Sequence, residues 1–515
     1  MSYPQSERPQ LRLYNSRTRA VEPFVPISGN HVRIYVCGLT PSAEAHLGHA
    51  RSFMFFDVVR RYLVHRGYRV TYVQNVTDID DRSIALAVAQ GLPLGEIVGG
   101  YFASFKRSMQ RLHVLEPDRE PHATAYVPQI VAMIAELIER ESAYVAPDGV
   151  YFSVASFPRY GALSGRKTDE LLVGARIAAD EGKRDPLDFA LWKFAKPEEP
   201  SWESPWGAGR PGWHIECSAM SHALLGEPFD IHGGGYDLIF PHHENEIAQT
   251  ESLYPPPMAN VWLHGGLLQF DGKKMSKSLG NFEPLQRLLD RHDPQAIRLL
   301  FLQTGYQKPM NFTEASIDGA SSGLERLLAG YDRLRHASSG AHDGATGEGA
   351  VASYRAQFCA FLDDDFNTAG AVSVLFAISS NVDSAIERGS ASGLAGFMHE
   401  AMAIVGLSPG ERRKVVAPET SVKIASVANV SYTIRRNGVE RLTPEAIERL
   451  RQLVEAIVPL GSLAAHETVD AVVEARILAK SQKDFALADK LRVALSGVGV
   501  TLADSKEGTS WSVGT

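Results

Sequence analysis

His31–Val76 reads HVRIYVCGLTPSAEAHLGHARSFMFFDVVRRYLVHRGYRVTYVQNV, and its pattern decides the fold. His31–Gly38 is rich in β-branched and aromatic residues and stops at a glycine, which predicts a strand. Residues 48–66 carry Phe53, Phe56, Val59 and Leu63 at spacings of three and four. That spacing predicts an amphipathic helix, and Gly67 supplies its stop. Arg69–Val76 predicts a second strand. A strand, a helix and a strand within this length imply parallel pairing, hence an α/β sheet.

Working outward, residues 93–141 are expected to be helical. Residues 142–215 are less regular, with Trp192, Trp202, Trp206 and Trp213 among many turn residues. They read as an insertion between two halves of the sheet domain. Val261–Phe270 returns to strand character, and the chain beyond Pro294 is expected to be helical. Ala337–Ala352 is Gly/Ala/Ser-rich and reads as a linker. Thr443-Pro444-Glu445 is a helix start. From Ala471 the tail reads as helix, then Gly497–Gly499, then a strand ending near Trp511.

Composition narrows the function. The chain has 515 residues and a formal net charge of −8, so a nucleic-acid partner must be held by local patches. Three cysteines, Cys37, Cys217 and Cys359, exclude a disulfide scaffold and favour a reducing compartment. The polar start does not read as a signal peptide, and no apolar run reaches membrane-spanning length. No membrane contact is therefore expected, and the expected location is the cytoplasm.

Three motifs carry chemistry. His46-Leu47-Gly48-His49 lies between the first strand and helix, at the carboxyl end of a parallel strand, where such sheets bind ligands. Gly48 would let a flat base lie on the backbone, and two imidazoles near a helix N-terminus can stabilise charge growing on a phosphate. Lys274-Met275-Ser276-Lys277-Ser278 sits on a loop and suits a mobile clamp on a polyphosphate. It is not a P-loop: the glycine spacing is one residue too long, and Lys274 stands where Ser or Thr should be.

Pro241-His242-His243-Glu244-Asn245-Glu246 is expected to open a helix with the proline at its first position. His242 and Glu246 then share one face, and His243 points away from it. Cys37 and Cys217 are the available thiols, and such a set fits zinc. On spacing alone, packing cysteines beside a surface His–Glu pair is the plainer reading. Cys359, on a helix with no ligand at metal spacing, reads as packing.

Taken together, HLGH and KMSKS in the two halves of one split domain resemble the class I aminoacyl-tRNA synthetases. Further stretches look like cysteinyl-tRNA synthetase signatures: Leu13-Tyr14-Asn15-Ser16, Val36-Cys37-Gly38, Asn75–Asp81, Gly209–Ser218, Asp230–Gly235 and Asp237–Glu246. They are dense over residues 11–310. The resemblance implies a Rossmann-like α/β parallel-sheet catalytic domain split by a connective insertion, followed by α-helical C-terminal domains. The expected boundaries are 1–141 and 216–300 for the catalytic halves, 142–215 for the insertion and 301–336 for a stem-contact region. The linker is expected over 337–352, a helical domain over 353–410 and an anticodon-binding domain over 411–515.

The resemblance also implies activation of L-cysteine by ATP, with Mg²⁺, and transfer to tRNA(Cys). Cys37, Cys217, His242 and Glu246 would hold one Zn²⁺ per subunit, which receives the substrate thiolate. His46, Gly48, His49, Asp237, Lys274 and Lys277 would bind ATP, and His46, His49, Lys274 and Lys277 would be catalytic. Gly38, Thr77, Trp213 and His232 would line the cysteine pocket. Lys480, Asp489, Arg492, Asp504 and Trp511 match positions near the anticodon bases, with Trp511 stacking on an unpaired base. A monomer is expected. Two departures stand out. Ser42-Ala43 replaces the family's usual Tyr-Asp, and 412–469 is longer than expected. Its Arg435, Arg436, Arg441, Arg449 and Arg451 read as a plain charged helix.

Overall fold

The computed structural model describes residues 9–166, 182–197, 199–270, 273–274, 283–338, 345–409, 421–427, 430–437, 443–454, 465–481, 484–505 and 508–513. The chain divides into two compact units, Met1–Arg412 and Arg413–Thr515.

The first unit opens with a hairpin of β1 (Arg12–Asn15) and β2 (Ala20–Pro23), which the sequence reading missed. Then come β3 (His31–Leu39), α1 (Leu47–His65) and β4 (Arg69–Val76), the predicted unit to within a residue. Gly67 has φ +88°, the left-handed stop that a side chain would resist. Helix α2 (Asp81–Gln90) precedes the helical stretch expected over 93–141, which is α3 (Leu94–Arg111) and α4 (Val127–Glu139), interrupted by the irregular 112–122.

The insertion is more ordered than its composition suggested. β5 (Ala143–Ala146), β6 (Gly149–Phe152), β7 (Phe189–Phe194) and β8 (Gly209–Pro211) form an antiparallel sheet in that order. Its strands are only three to six residues long, too short for alternation to stand out. After it run α5 (Trp213–Leu225), β9 (Phe229–Gly235), α6 (Glu244–Leu253) and β10 (Ala259–Gly265). The central sheet is parallel throughout, in the order β10-β9-β3-β4.

Alternation along β3 assigns the two faces. Val32, Ile34 and Val36 enter one core with Phe53, Phe56 and Val59 of α1, while Tyr35 and Cys37 enter a second core with the insertion. Short strands β11 (Leu268–Phe270), β12 (Lys273–Lys274) and β13 (Met310–Phe312) flank helices α7 (Leu285–Arg291), α8 (Pro294–Leu302) and α9 (Glu314–Ala337). Then follow α10 (Ala345–Asp363), α11 (Thr368–Ser380), α12 (Val382–Glu387) and α13 (Ala391–Ile404). The linker expected over 337–352 therefore needs correcting: its second half is the start of α10. Helices α8 to α13 contribute to the first core together with α1, so 353–410 has no core of its own. Cys359 packs against that core.

One buried ion pair stitches this core. Arg298 of α8 donates to Asp57 of α1, to the Val405 carbonyl (2.7 Å) and to the Leu112 carbonyl (2.8 Å).

The second unit is a sheet in the order β14 (Ser421–Val427), β15 (Val430–Asn437), β17 (Gly508–Val513), β16 (Val500–Ser505). With it go α14 (Pro444–Val454), α15 (Ala465–Ser481) and α16 (Phe485–Ser496). Thr443 caps α14 as read, its Oγ1 accepting from Ala446 N–H at 3.1 Å. Arg435 and Arg436 lie on β15 and not on a helix, which corrects the charged-helix reading for those two; Arg449 and Arg451 do lie on α14, and Arg441 is outside the described residues. Among the described residues no single helix is long and apolar enough to cross a membrane; one sharply bent pair, α2 with α3, passes on length and composition alone.

Candidate functional site

The carboxyl edge of the parallel sheet gathers most of the predicted residues. The β3–β4 ladder breaks between Val36 and Leu39, and that irregularity frees the end of β3 around Cys37. Gly38 is obligatory there. Its N–H donates to Asn75 Oδ1 (2.8 Å), and a Cβ would stand 1.6 Å from the Asn75 carbonyl oxygen. Gly38→Ala must therefore push the two strands apart. The expected cost is about 3 kcal/mol or more in a denaturant melt, at or above the usual overpacking range, with loss of activity as Cys37 shifts.

Cys37, Cys217, His242 and Glu246 are all buried, and their ligand atoms lie within 4.8 Å of one another. Cys37 Sγ stands 3.7 Å from Cys217 Sγ and 3.3 Å from Glu246 Oε1, and His242 Nε2 is 3.1 Å from that same oxygen. Ligands of a tetrahedral zinc, at about 2.3 Å for sulfur and 2.0–2.2 Å for nitrogen and oxygen, stand roughly 3.3–3.8 Å apart. The observed edges agree to a few tenths of an ångström. Burial pushes both thiols up and the His242 imidazole far down. A cation among them would reverse the preference of the thiols. The donor set therefore fits a soft divalent metal.

Two local expectations need correcting. Helix α6 begins at Glu244, after one wide turn over Ile239–His243, so Pro241 is not its first residue. The turn also aims His243 inward: its Nε2 lies 3.3 Å from Cys37 Sγ. The helical-face argument failed for His243, which precedes the helix, while His242 and Glu246 do meet as expected.

Around the cluster, Trp213 lies against His242 with ring centres 4.3 Å apart and planes tilted by 31°, and remains 42% exposed. His232 is fully buried; its Nε2 pairs with Glu246 Oε2 (2.8 Å), while its Nδ1 has no protein partner among the described residues. Thr77, at the end of β4, is buried and accepts from Asn75 Nδ2 at 3.3 Å. Asp237 sits exposed on the turn after β9.

The two HLGH imidazoles form the N-cap of α1. His46 Nδ1 accepts from Gly48 N–H (3.0 Å), and His49 Nδ1 accepts from His46 N–H (3.3 Å). The rings stack at 3.9 Å. With both Nδ1 atoms accepting, each neutral ring carries its proton on Nε2, a donor suited to phosphate oxygen. Burial, then His46, pushes His49 down to about 3. A Cβ at Gly48 would meet the His46 ring at 2.8 Å, so the cap itself also requires a glycine there. Lys274 lies on β12, its side chain outside the described residues, as is Lys277.

In the second unit Lys480, Asp489 and Arg492 are exposed, and Asp489 pairs with Arg492 at 3.1 Å. Asp504 lies on β16, its side chain outside the described residues. Trp511 contradicts its expected role: it is 1% exposed in the tail's core, with Nε1 donating to Asp470 Oδ1 (2.9 Å). The exposed aromatic on the face of Asp489 is Phe485, four residues earlier and 66% exposed. Its place at the exposed start of an amphipathic pattern was the available signal.

Comparison with known proteins places these features. Residues 23–322 match the family model described as the class I (C) tRNA synthetase catalytic domain, and 357–408 match the DALR domain. A protein named cysteine–tRNA ligase from Alkalilimnicola ehrlichii is 43% identical over 502 residues, covering 97% of this chain and 99% of its own. One of that name from Pseudomonas aeruginosa is 42% identical with the same coverage. Among solved structures, Mycobacterium tuberculosis methionyl-tRNA synthetase with methionyl-adenylate is similar at TM-score 0.56 and 14% identity, covering 76% of this chain and 92% of that one. A putative arginyl-tRNA synthetase from Campylobacter jejuni is similar at TM-score 0.52 and 14% identity, covering 73% and 93%. These two share the fold. The parallel sheet, the signatures along its carboxyl edge and near-complete relatives at over 40% identity lead to one statement: the chain belongs to the cysteine–tRNA ligase family of class I aminoacyl-tRNA synthetases.

Proposed function

We propose that this chain activates L-cysteine with ATP and transfers it to tRNA(Cys), and that one zinc ion per chain, held by Cys37, Cys217, His242 and Glu246, selects the amino acid. The observation that carries the reading is the buried cluster of two thiols, an imidazole and a carboxylate within a class I catalytic domain. Two thiols favour zinc over hard cations. When bound, zinc would lower a thiol's pKa and prefer sulfur, so serine, which differs from cysteine by one atom, would gain far less than cysteine, a discrimination that a shaped pocket alone supplies only modestly.

The chain's own residues then bind and orient. Gly38, Thr77 and Trp213 line the cysteine, and the unpartnered His232 Nδ1 offers it a polar contact. The cysteine carboxylate is ionised, so no general base is required. It attacks the α-phosphate, the bond to the β-phosphate breaks, and pyrophosphate leaves. His46 and His49 donate from Nε2 to the phosphate as charge grows. Gly48 and Asp237 hold the adenosine, and Lys274 and Lys277 clamp the triphosphate with its Mg²⁺. A hydroxyl of the terminal ribose of tRNA then attacks the carbonyl carbon, and AMP leaves.

The second unit reads the anticodon with Lys480, Asp489, Arg492 and Asp504, and Phe485 supplies the stacking surface in place of Trp511. Phe485→Ala is expected to raise KM for tRNA(Cys) roughly 5- to 100-fold, the value of one base–aromatic stack, and to leave ATP–pyrophosphate exchange unchanged. Trp511→Ala removes a core side chain instead and lowers stability by about 3–5 kcal/mol, read by a melt. The enzyme works as a cytoplasmic monomer.

The test is acceptor choice. Full-length protein, ATP and labelled cysteine are offered tRNA(Cys) and, separately, an amino sugar. Charging of the tRNA alone supports the reading; transfer to the sugar alone overturns it. Truncation after Arg412 is expected to retain exchange and to weaken charging, and intact charging would remove the second unit from the anticodon.

A further inference from the structure

Cys37 has a second imidazole against it. His243 Nε2 is 3.3 Å from Cys37 Sγ, His243 Nδ1 is 2.8 Å from His264 Nε2, and His264 Nδ1 is 2.7 Å from Ser16 Oγ. The four side chains make one file of hydrogen bonds from the buried cluster to the half-buried end of β1. They come from four separate segments: the end of β3, the wide turn before α6, β10 and the first hairpin. The outer end is fixed. Ser16 N–H donates to the Trp262 carbonyl (2.9 Å), and Asn15 Oδ1 accepts from Trp262 N–H (3.1 Å), so the hairpin is pinned to β10 beside His264.

We propose that Ser16, His264 and His243 are positioning residues that place one N–H donor on the Cys37 thiolate, and so set how strongly that sulfur binds the metal and how readily the metal takes a further thiolate. The inference rests on the zinc-site reading above. Its logic is an inventory of protons. A metal-held sulfur is a thiolate and only accepts. His243 must then carry its proton on Nε2, which leaves Nδ1 as an acceptor. His264 must carry its proton on Nε2, which leaves its own Nδ1 as an acceptor. The Ser16 hydroxyl, free to rotate, donates to that atom. One condition at the sulfur fixes two tautomers and a rotor, and both neutral rings use both nitrogens.

The adjacent histidines thus play opposite parts. His242 offers a lone pair from Nε2 while its Nδ1 meets His214 Nδ1 at 2.8 Å. His243 offers a proton. The alternative set in which His243 is itself a ligand, with Cys37, His232 and Glu246, leaves out Cys217 and so gives up one of the two thiols that favour zinc. An N–H donor draws electron density from the sulfur and holds it in one orientation, and outer partners of this kind are worth roughly 10- to 100-fold in metal affinity.

The test compares full-length parent with His264→Leu, which cuts the file, His264→Gln, whose amide can both donate and accept, and Ser16→Ala at the half-exposed end. Zinc affinity is measured against a chromophoric chelator, and the sulfur-to-metal charge-transfer band is recorded on the cobalt-loaded protein. His264→Leu is expected to lose zinc affinity roughly 10- to 100-fold. Its band should move to lower energy, and KM for cysteine should rise in exchange while KM for ATP stays the same. His264→Gln restores the band, and Ser16→Ala moves it the same way by less. A folded His264→Leu protein with parental zinc affinity and an unmoved band overturns the proposal. If that variant does not fold, an unmoved band in Ser16→Ala overturns it. A parent that takes up no stoichiometric metal overturns the zinc reading itself, a distinct outcome.

Discussion

Cys217→Ser is expected to lose bound zinc and to lower cysteine-dependent ATP–pyrophosphate exchange at least ~100-fold, since outer-shell partners alone are worth up to that much. The change keeps size and helix α5 intact, so the fold should melt near the parent. What it removes is one of two sulfurs 3.7 Å apart in a site where Glu246 and His242 complete the donor set. A hydroxyl does not ionise at neutral pH and is a poor ligand for a soft metal. The affected step is cysteine binding, so KM for ATP should change little. Metal content by elemental analysis and the exchange rate are read on the same preparation. Full metal content with parental exchange would falsify the ligand role of Cys217.

A large stability effect is expected at Asp57. Its carboxylate pairs with Arg298, with Arg61 Nε (2.8 Å) and with the Leu115 N–H (2.9 Å), and both Asp57 and Arg298 are almost wholly buried. Burial already holds the Arg298 guanidinium below its ordinary value, with Asp57 opposing that trend. Asp57→Ala leaves a buried cation without its partner and should cost about 3–5 kcal/mol. Asp57→Ala with Arg298→Met removes both charges and should recover part of the loss. The recovery is incomplete, because Arg298 also satisfies the carbonyls of Val405 and Leu112. Denaturant melts of the two singles and the double measure the coupling. Additive losses would mean that the pair does not hold α1 to the helices behind it.

How much of this was legible depends on where the signal lives. The β3–α1–β4 unit was readable because period-2 and period-3.6 patterns sit in long, uninterrupted elements, closed by Gly67. The insertion was not, because its strands of three to six residues are too short to establish a period. The four proposed zinc donors were candidates from residue type and helical spacing, and motif resemblance made them the expected set; their convergence from three segments is a tertiary fact that spacing cannot carry. Misreading His243 followed directly from extending helix α6 back to Pro241: one wide turn changes which imidazole faces inward. Trp511 was misplaced for a related reason. An aromatic in a terminal strand looks the same in sequence whether it meets a base or a core, and only the Asp470 partner and its burial separate the two. Ser16 and His264 had no local signal, since their roles exist only through the file of side chains that joins them to Cys37.

The most direct measurement of the central claim is ATP–pyrophosphate exchange by the full-length protein, run with each of the twenty amino acids at matched concentration and with zinc content determined on the same sample. The account predicts stoichiometric zinc, rapid exchange with cysteine and background exchange with serine. Exchange with serine approaching that with cysteine, or cysteine exchange in protein free of metal, would contradict it.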